Sequence, residues 1–181
     1  MNTYVFRTWD SGKNFGGYLN RVLGLIPNPD DIIVITDGDV MFLTPYWGKQ
    51  IEEITEANPD VNVFGCMMNR IGVKLQMLSE SEIHNMDVPY QKDIAIERAS
   101  GPDRLTVIPT NGPIAAACMW FRRSVWDQIK FKEDSIRFDI EFCFDAKNKC
   151  FKLGIASGLY VFHMYRYGSK DPANDYKHLL K

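Results

Sequence analysis

Several things this sequence lacks narrow its reading before any motif does. Its four cysteines, Cys66, Cys118, Cys143 and Cys150, lie far apart with no Cys-x-x-Cys pair. That excludes a zinc-ribbon or dithiol motif and leaves reduced thiols in a cytoplasmic compartment as the expectation. Charge of neither sign dominates, with 21 Lys and Arg against 23 Asp and Glu and a formal charge of −2. There is accordingly no strong nucleic-acid signature, because phosphate contacts draw on a clustered basic face. No apolar run approaches the roughly 20 residues that span a bilayer, so no transmembrane segment is expected. Met1-Asn2-Thr3-Tyr4 has no basic stretch leading into an apolar one, and no secretory leader is expected. Proline and glycine, 9 and 13 among 181 residues, are too few for a fibrous or disordered chain. Repeats and linkers are missing too, so residues 1–181 read as a single domain.

What is present is a core-forming chain, 45% hydrophobic, with its apolar residues in patterned blocks. Tyr4–Thr8 reads as a strand, and the turn residues Asp10–Asn14 break it. After Gly16-Gly17, the spacing of Tyr18, Val22, Leu23 and Leu25 predicts a helix that ends at Pro27-Asn28-Pro29. Asp31–Thr36 is an uninterrupted run rich in β-branched residues, the pattern of a strand covered on both faces. A helix follows from Tyr46 to Ala57, then a strand from Val61 to Cys66. Two βαβ-like units in succession favour an α/β sheet. Ile71 to Pro109 carries only weak helical patterns interrupted by Pro89, Gly101 and Pro102. Beyond it, Ile114–Phe121 reads as a strand, Ser124 as the cap of a short helix, and Asp139–Lys152 as a helix stopped by Gly154. Ile155–Met164 reads as the last strand.

One constellation carries chemistry. Asp37-Gly38-Asp39 follows directly on the buried strand, and residues i and i+2 of an extended backbone point to the same side. Ligands of open α/β sheets collect beyond the carboxyl ends of the strands, where this pair sits. Two converging carboxylates suit a hard divalent cation that shares its remaining positions with diphosphate oxygens and water. An Asp-Gly pair is also an ordinary solvated turn. His163, taken alone, reads as a hydrogen-bonded histidine at a strand end.

The segments Lys13-Asn14-Phe15-Gly16-Gly17-Tyr18-Leu19-Asn20 and Ile33-Val34-Ile35-Thr36-Asp37-Gly38-Asp39-Val40-Met41-Phe42-Leu43 are joined by three more. These are Met68-Asn69-Arg70-Ile71-Gly72, Phe138-Asp139-Ile140-Glu141-Phe142 and Gly158–Arg166. In this order and spacing the chain resembles the shortest family 2 glycosyltransferases. The resemblance implies one GT-A-like (Rossmann-like) α/β domain with a central mixed, mostly parallel sheet flanked by helices. It implies a metal-dependent enzyme that moves a sugar, with inversion, from a nucleotide-diphosphate sugar to a hydroxyl acceptor. Asp37 and Asp39 would form the DxD motif, with Asp37 facing the ribose or sugar and Asp39 ligating Mn²⁺ or Mg²⁺. His163 would be a further ligand, and an imidazole there favours manganese.

By the same resemblance Thr8, Trp9, Asp10 and Asn14 would hold the nucleotide beside Asp37 and Gly38. Asn69 and Arg70 would meet the sugar or acceptor, as would Asn111-Gly112-Pro113. Tyr165 and Arg166 would belong to a loop closing over the donor. Asp139 matches the acidic residue that takes the acceptor proton. Phe138 stands where the family commonly has another acid, so the base is either Asp139 or Glu141. An alternative is a haloacid-dehalogenase-like phosphohydrolase, with Asp37 as a phosphorylated nucleophile. Another is a sugar-nucleotide-binding module without transfer activity.

Overall fold

A computed structural model of the chain describes residues 1–164. In chain order its strands and helices are β1 (Thr3–Arg7), α1 (Phe15–Leu23), β2 (Ile32–Thr36), β3 (Val40–Phe42), α2 (Trp47–Ala57) and β4 (Val63–Met68). Then come α3 (Val88–Ser100), β5 (Val107–Thr110), β6 (Cys118–Arg122), α4 (Arg123–Gln128), α5 (Phe138–Asn148) and β7 (Leu153–His163). Two 3₁₀ turns, Lys74–Gln76 and Glu80–His84, lie between β4 and α3. The strands form one sheet in the order β1-β2-β6-β4-β7-β3, with β5 also pairing β7.

The fold is α/β with a mixed sheet flanked by helices. β1, β2, β4 and β7 run one way, and β3, β5 and β6 run against them. β2 shows why the sheet is covered on both faces, since all five of its residues are buried. Ile33 and Ile35 pack with Leu19, Phe121 and Phe142, while Ile32 and Val34 pack with Ile51, Ile54 and Trp120. The two-residue period of a strand thus divides one apolar run between two cores. Aromatic stacking fills each of them: Phe131 on Phe142 at 4.2 Å, and Phe64 on Trp120 at 5.2 Å. The indole of Trp120 donates to Thr55 Oγ1 at 3.0 Å, satisfying its one polar atom within the core.

β7 carries pairings on both of its edges. One edge pairs with β4; the other pairs with β5 through Leu153–Ala156 and with β3 through Val161–His163. That division leaves His163 directly opposite Val40. Among the described residues no helix is long and apolar enough to cross a membrane.

Four expectations need correcting. Gly154 does not stop α5; it lies inside β7, paired with Phe64 and Pro109. The chain leaves α5 after Asn148 and reverses through Cys150, at a left-handed φ of 62°. Ser124 is not a cap, for α4 begins at Arg123 and the Ser124 amide donates to Pro29 O at 2.8 Å. Pro89 does not interrupt a helix but sits in the first turn of α3, where a missing N–H costs nothing. The strand expected over Ile114–Phe121 begins only at Cys118.

Candidate metal centre and cleft

At the carboxyl end of β2 the chain turns through Asp37-Gly38-Asp39 and returns as β3. The turn is held by its backbone, with Val40 N donating to Asp37 O at 3.4 Å and Met164 N to Asp39 O at 3.0 Å. Pairing of β3 with β7 then carries His163 to the same corner. Its Nε2 lies 3.3 Å from Asp39 Oδ1 and 4.0 Å from Asp37 Oδ2. One ligand atom from each of Asp37, Asp39 and His163 falls within 4.8 Å of the others.

His163 is buried at 1% side-chain exposure, and its ring is fixed from behind. Nδ1 lies 2.8 Å from the carbonyl oxygen of Arg70. A carbonyl only accepts, so Nδ1 carries a proton whether the ring is neutral or charged. Nε2 faces the carboxylates, able to donate to Asp39 from a charged ring or to offer a lone pair to a cation from a neutral one. The His163 amide donates to Asn69 Oδ1 at 2.8 Å. This is the outer support a metal-binding imidazole ordinarily has.

These groups fit a divalent cation. Around an octahedral ion with bonds of about 2.1 Å, neighbouring ligand atoms lie about 3.0 Å apart and opposite ones about 4.2 Å. The two separations at His163 lie within that range, and the donor set of two carboxylates and one imidazole suits Mn²⁺ better than Mg²⁺. The two carboxylates are unlike each other electrostatically. Burial pushes the Asp37 carboxyl up, with Asp39 and Asp139 adding to the rise and the Thr8 hydrogen bond and His163 opposing it. Burial acts in the same sense on Asp39, but its hydrogen bond to His163 and the charge there outweigh it and hold that carboxyl low.

Beside the cluster opens a cleft of about 700 Å³, lined by Thr8, Asp37, Gly38, Asp39 and Asp139 among others. Its described lining has three carboxylates and no lysine or arginine. An anionic ligand would therefore need a cation to enter it. Thr8 Oγ1 donates to Asp37 Oδ1 at 2.9 Å, orienting the first carboxylate from the end of β1. Asp139, in the first turn of α5, accepts from Ala116 N at 3.0 Å and from Ile140 N at 2.8 Å. Glu141 lines neither this cleft nor its neighbour, so the structure brings only one of the two candidate bases to the corner of Asp37, Asp39 and His163.

The other residues singled out in the sequence fall in several places. Asn14 caps α1 through Gly17 N at 2.7 Å and also accepts from Asp134 N at 3.1 Å. Asp10 accepts from Asn14 N at 2.9 Å and faces Arg21 at 3.9 Å, so both side chains are engaged in shaping the loop beside Thr8. Trp9 is 70% exposed and is not part of the cleft lining. Asn69 and Arg70 are buried behind His163 rather than open to the cleft. Tyr165 and Arg166 lie outside the described residues.

Sequence reasoning missed the segment Ala115-Ala116-Ala117, which forms a wall of the cleft. Its signal was the run of small residues, since short side chains let backbone line a cavity. It missed Gln76 as well, a fully buried side chain whose Oε1 accepts from Ala115 N at 2.8 Å and holds that wall in place. Comparison with protein-family models and with curated proteins finds no match for this chain.

Proposed function

We propose that the chain is a GT-A-like glycosyltransferase that uses a divalent cation, preferably Mn²⁺, to bind a nucleotide-diphosphate sugar and transfers the sugar to a hydroxyl. The observation that carries this reading is the convergence of Asp37, Asp39 and His163 at the mouth of an acidic cleft that also holds Asp139. A diphosphate gains nothing from three carboxylates alone; it gains from a cation they hold. When bound, the cation supplies positive charge to offset that on the departing nucleoside diphosphate.

The residues of the chain then divide the work. Asp37, Asp39 and His163 present ligand atoms, with Asp37 steered by Thr8. Asp139, fixed by two backbone amides, takes the proton of the acceptor hydroxyl as its oxygen bonds to the anomeric carbon. The bond from that carbon to the diphosphate breaks, and its electron pair leaves with the diphosphate. Attack from the face opposite the leaving group gives inversion. The phosphohydrolase alternative gains no support from the cleft, where no lysine stands beside Asp37 among the described lining residues.

The test is a thermal-shift screen of nucleotide-diphosphate sugars with and without Mn²⁺, followed by donor turnover in wild type and Asp139→Asn. The donor is expected to add stabilisation only when Mn²⁺ is present, with turnover lost in the variant. Equal stabilisation with and without cation would sink the reading. Intact donor across a broad set of acceptors would leave a binding module instead.

A further inference from the structure

Behind the wall formed by Ala115 and Asp139 lies a second recess, of about 580 Å³. Its lining also includes Val73, Leu75, Pro113 and Ile140. Ala115 and Asp139 line the cleft and the recess alike, so the two spaces meet at one carboxylate. They differ sharply in character. The cleft gathers three acidic side chains, whereas apolar side chains dominate the recess, whose only ionisable ones are Lys74 and Asp139.

The apolar surface here is open rather than packed away. Leu75 is 57% exposed, and Ile136, on the lip of the cleft, is 77% exposed. Single exposed leucines are ordinary, but an apolar lip contiguous with a polar reacting corner is the arrangement of a ligand site. The wall between the spaces is also built to hold its position: Gln76 fixes Ala115, Asp139 fixes Ala116, and Thr36 Oγ1 donates to Ala117 O at 3.0 Å.

Resting on the proposed transferase reading, the geometry points to an acceptor that is a small alcohol with an apolar body. Its hydroxyl meets Asp139, and its alkyl, prenyl or aromatic portion lies along Val73, Leu75, Pro113 and Ile140. A free sugar leaves that surface wet and gains little from it. An apolar-bodied alcohol covers it and gains the transfer free energy of the buried area.

The probes are n-octyl β-D-glucopyranoside below its micellar concentration and glucose, titrated against the protein and read by ligand-observed NMR. Val73→Ser/Leu75→Ser is the variant, since both side chains reach solvent and the core is untouched. Mn²⁺ affinity is measured separately on the same samples, and oligomeric state by sedimentation velocity. The octyl glycoside is expected to bind at least about tenfold more tightly than glucose, and the double variant to erase that preference while Mn²⁺ affinity holds. Equal affinities, or a preference the variant does not move, overturn the apolar acceptor and leave the transferase reading standing. Failure of the wild type to bind Mn²⁺ overturns the transferase reading whichever glycoside binds. A wild-type dimer that dissociates in the double variant assigns the face to a second copy of the chain and overturns the inference too.

Discussion

Replacing Asp37 and Asp39 one at a time by asparagine should move stability in opposite directions before metal is added, and abolish the same response after it. Asp39 in the folded state has its carboxyl held low, because the hydrogen bond and charge of His163 outweigh the effect of burial. A depressed acid stabilises the fold above its unfolded value of about 3.9 and loses that contribution as pH falls through the folded value. At pH 7 Asp39→Asn therefore loses stability, and with 43% of the side chain exposed, solvent screening keeps the loss below about 1 kcal/mol. Asp37 is the reverse case: burial raises its carboxyl, so the ionised form costs folding free energy at neutral pH, and Asp37→Asn recovers a part of it.

Added metal is expected to reverse the picture. At Mn²⁺ a hundredfold above its dissociation constant, binding stabilises by about 2.7 kcal/mol. For a domain of this size that is about 5–11 °C in Tm. Loss of an outer-shell partner already weakens metal sites by about 10–100-fold, so loss of a ligand is taken as at least about a hundredfold. The remaining stabilisation is then about 0.4 kcal/mol, or about 1–2 °C. Differential scanning fluorimetry on chelator-treated protein, with and without Mn²⁺, measures both effects. A full Mn²⁺ shift in either variant would refute the metal centre. A metal-free Tm that falls equally in both would refute the account of what burial and His163 do to the two carboxylates.

Two further outcomes test the architecture. Gln76→Ala should destabilise by about 1–3 kcal/mol in urea unfolding without a change in m, because it leaves the buried Ala115 amide without its acceptor; an unchanged midpoint would mean that this wall is not pinned from Gln76. Iodoacetamide at pH 8 should label one thiol of the native protein, Cys150, and all four after denaturation. Cys66, Cys118 and Cys143 are buried and the Cys143 thiol is pushed up to about 12, so two or more fast thiols would contradict the packing around β4, β6 and α5.

The parts legible in the sequence are those that local pattern dictates. The buried run of β2 and the acidic turn after it needed no partner to be read, and neither did the loop that caps α1. β3 was invisible because it has only three residues and exists through its pairing with β7. That pairing joins Asp39 to His163, a contact across more than a hundred residues that no window of sequence records. The end of α5 was misplaced for a related reason. Gly154 looked like a helix stop, yet the left-handed residue is Cys150, a residue type that does not announce such a conformation. Arg70 contributes to the site through its backbone carbonyl, which every residue has.

The uncertainty between Asp139 and Glu141 shows where the remaining information resides. Two residues along a helix turn it by about 200°, so the pair faces nearly opposite directions and only one can look into the cleft. The sequence of α5 has apolar residues on too many sides to fix that rotation by period alone. Packing fixes it: Phe142 stacks on Phe131 at 4.2 Å and meets Phe121 at 5.1 Å, while Phe138 leans on Phe15 at 5.9 Å. With the helix locked by those rings, Asp139 meets the Ala116 amide and lines the cleft. Which of the two carboxylates faces the cleft is thus decided by aromatic contacts from α1, β6 and the segment before α5. A substitution such as Phe142→Ala should consequently impair Asp139-dependent turnover without touching a single group in the cleft.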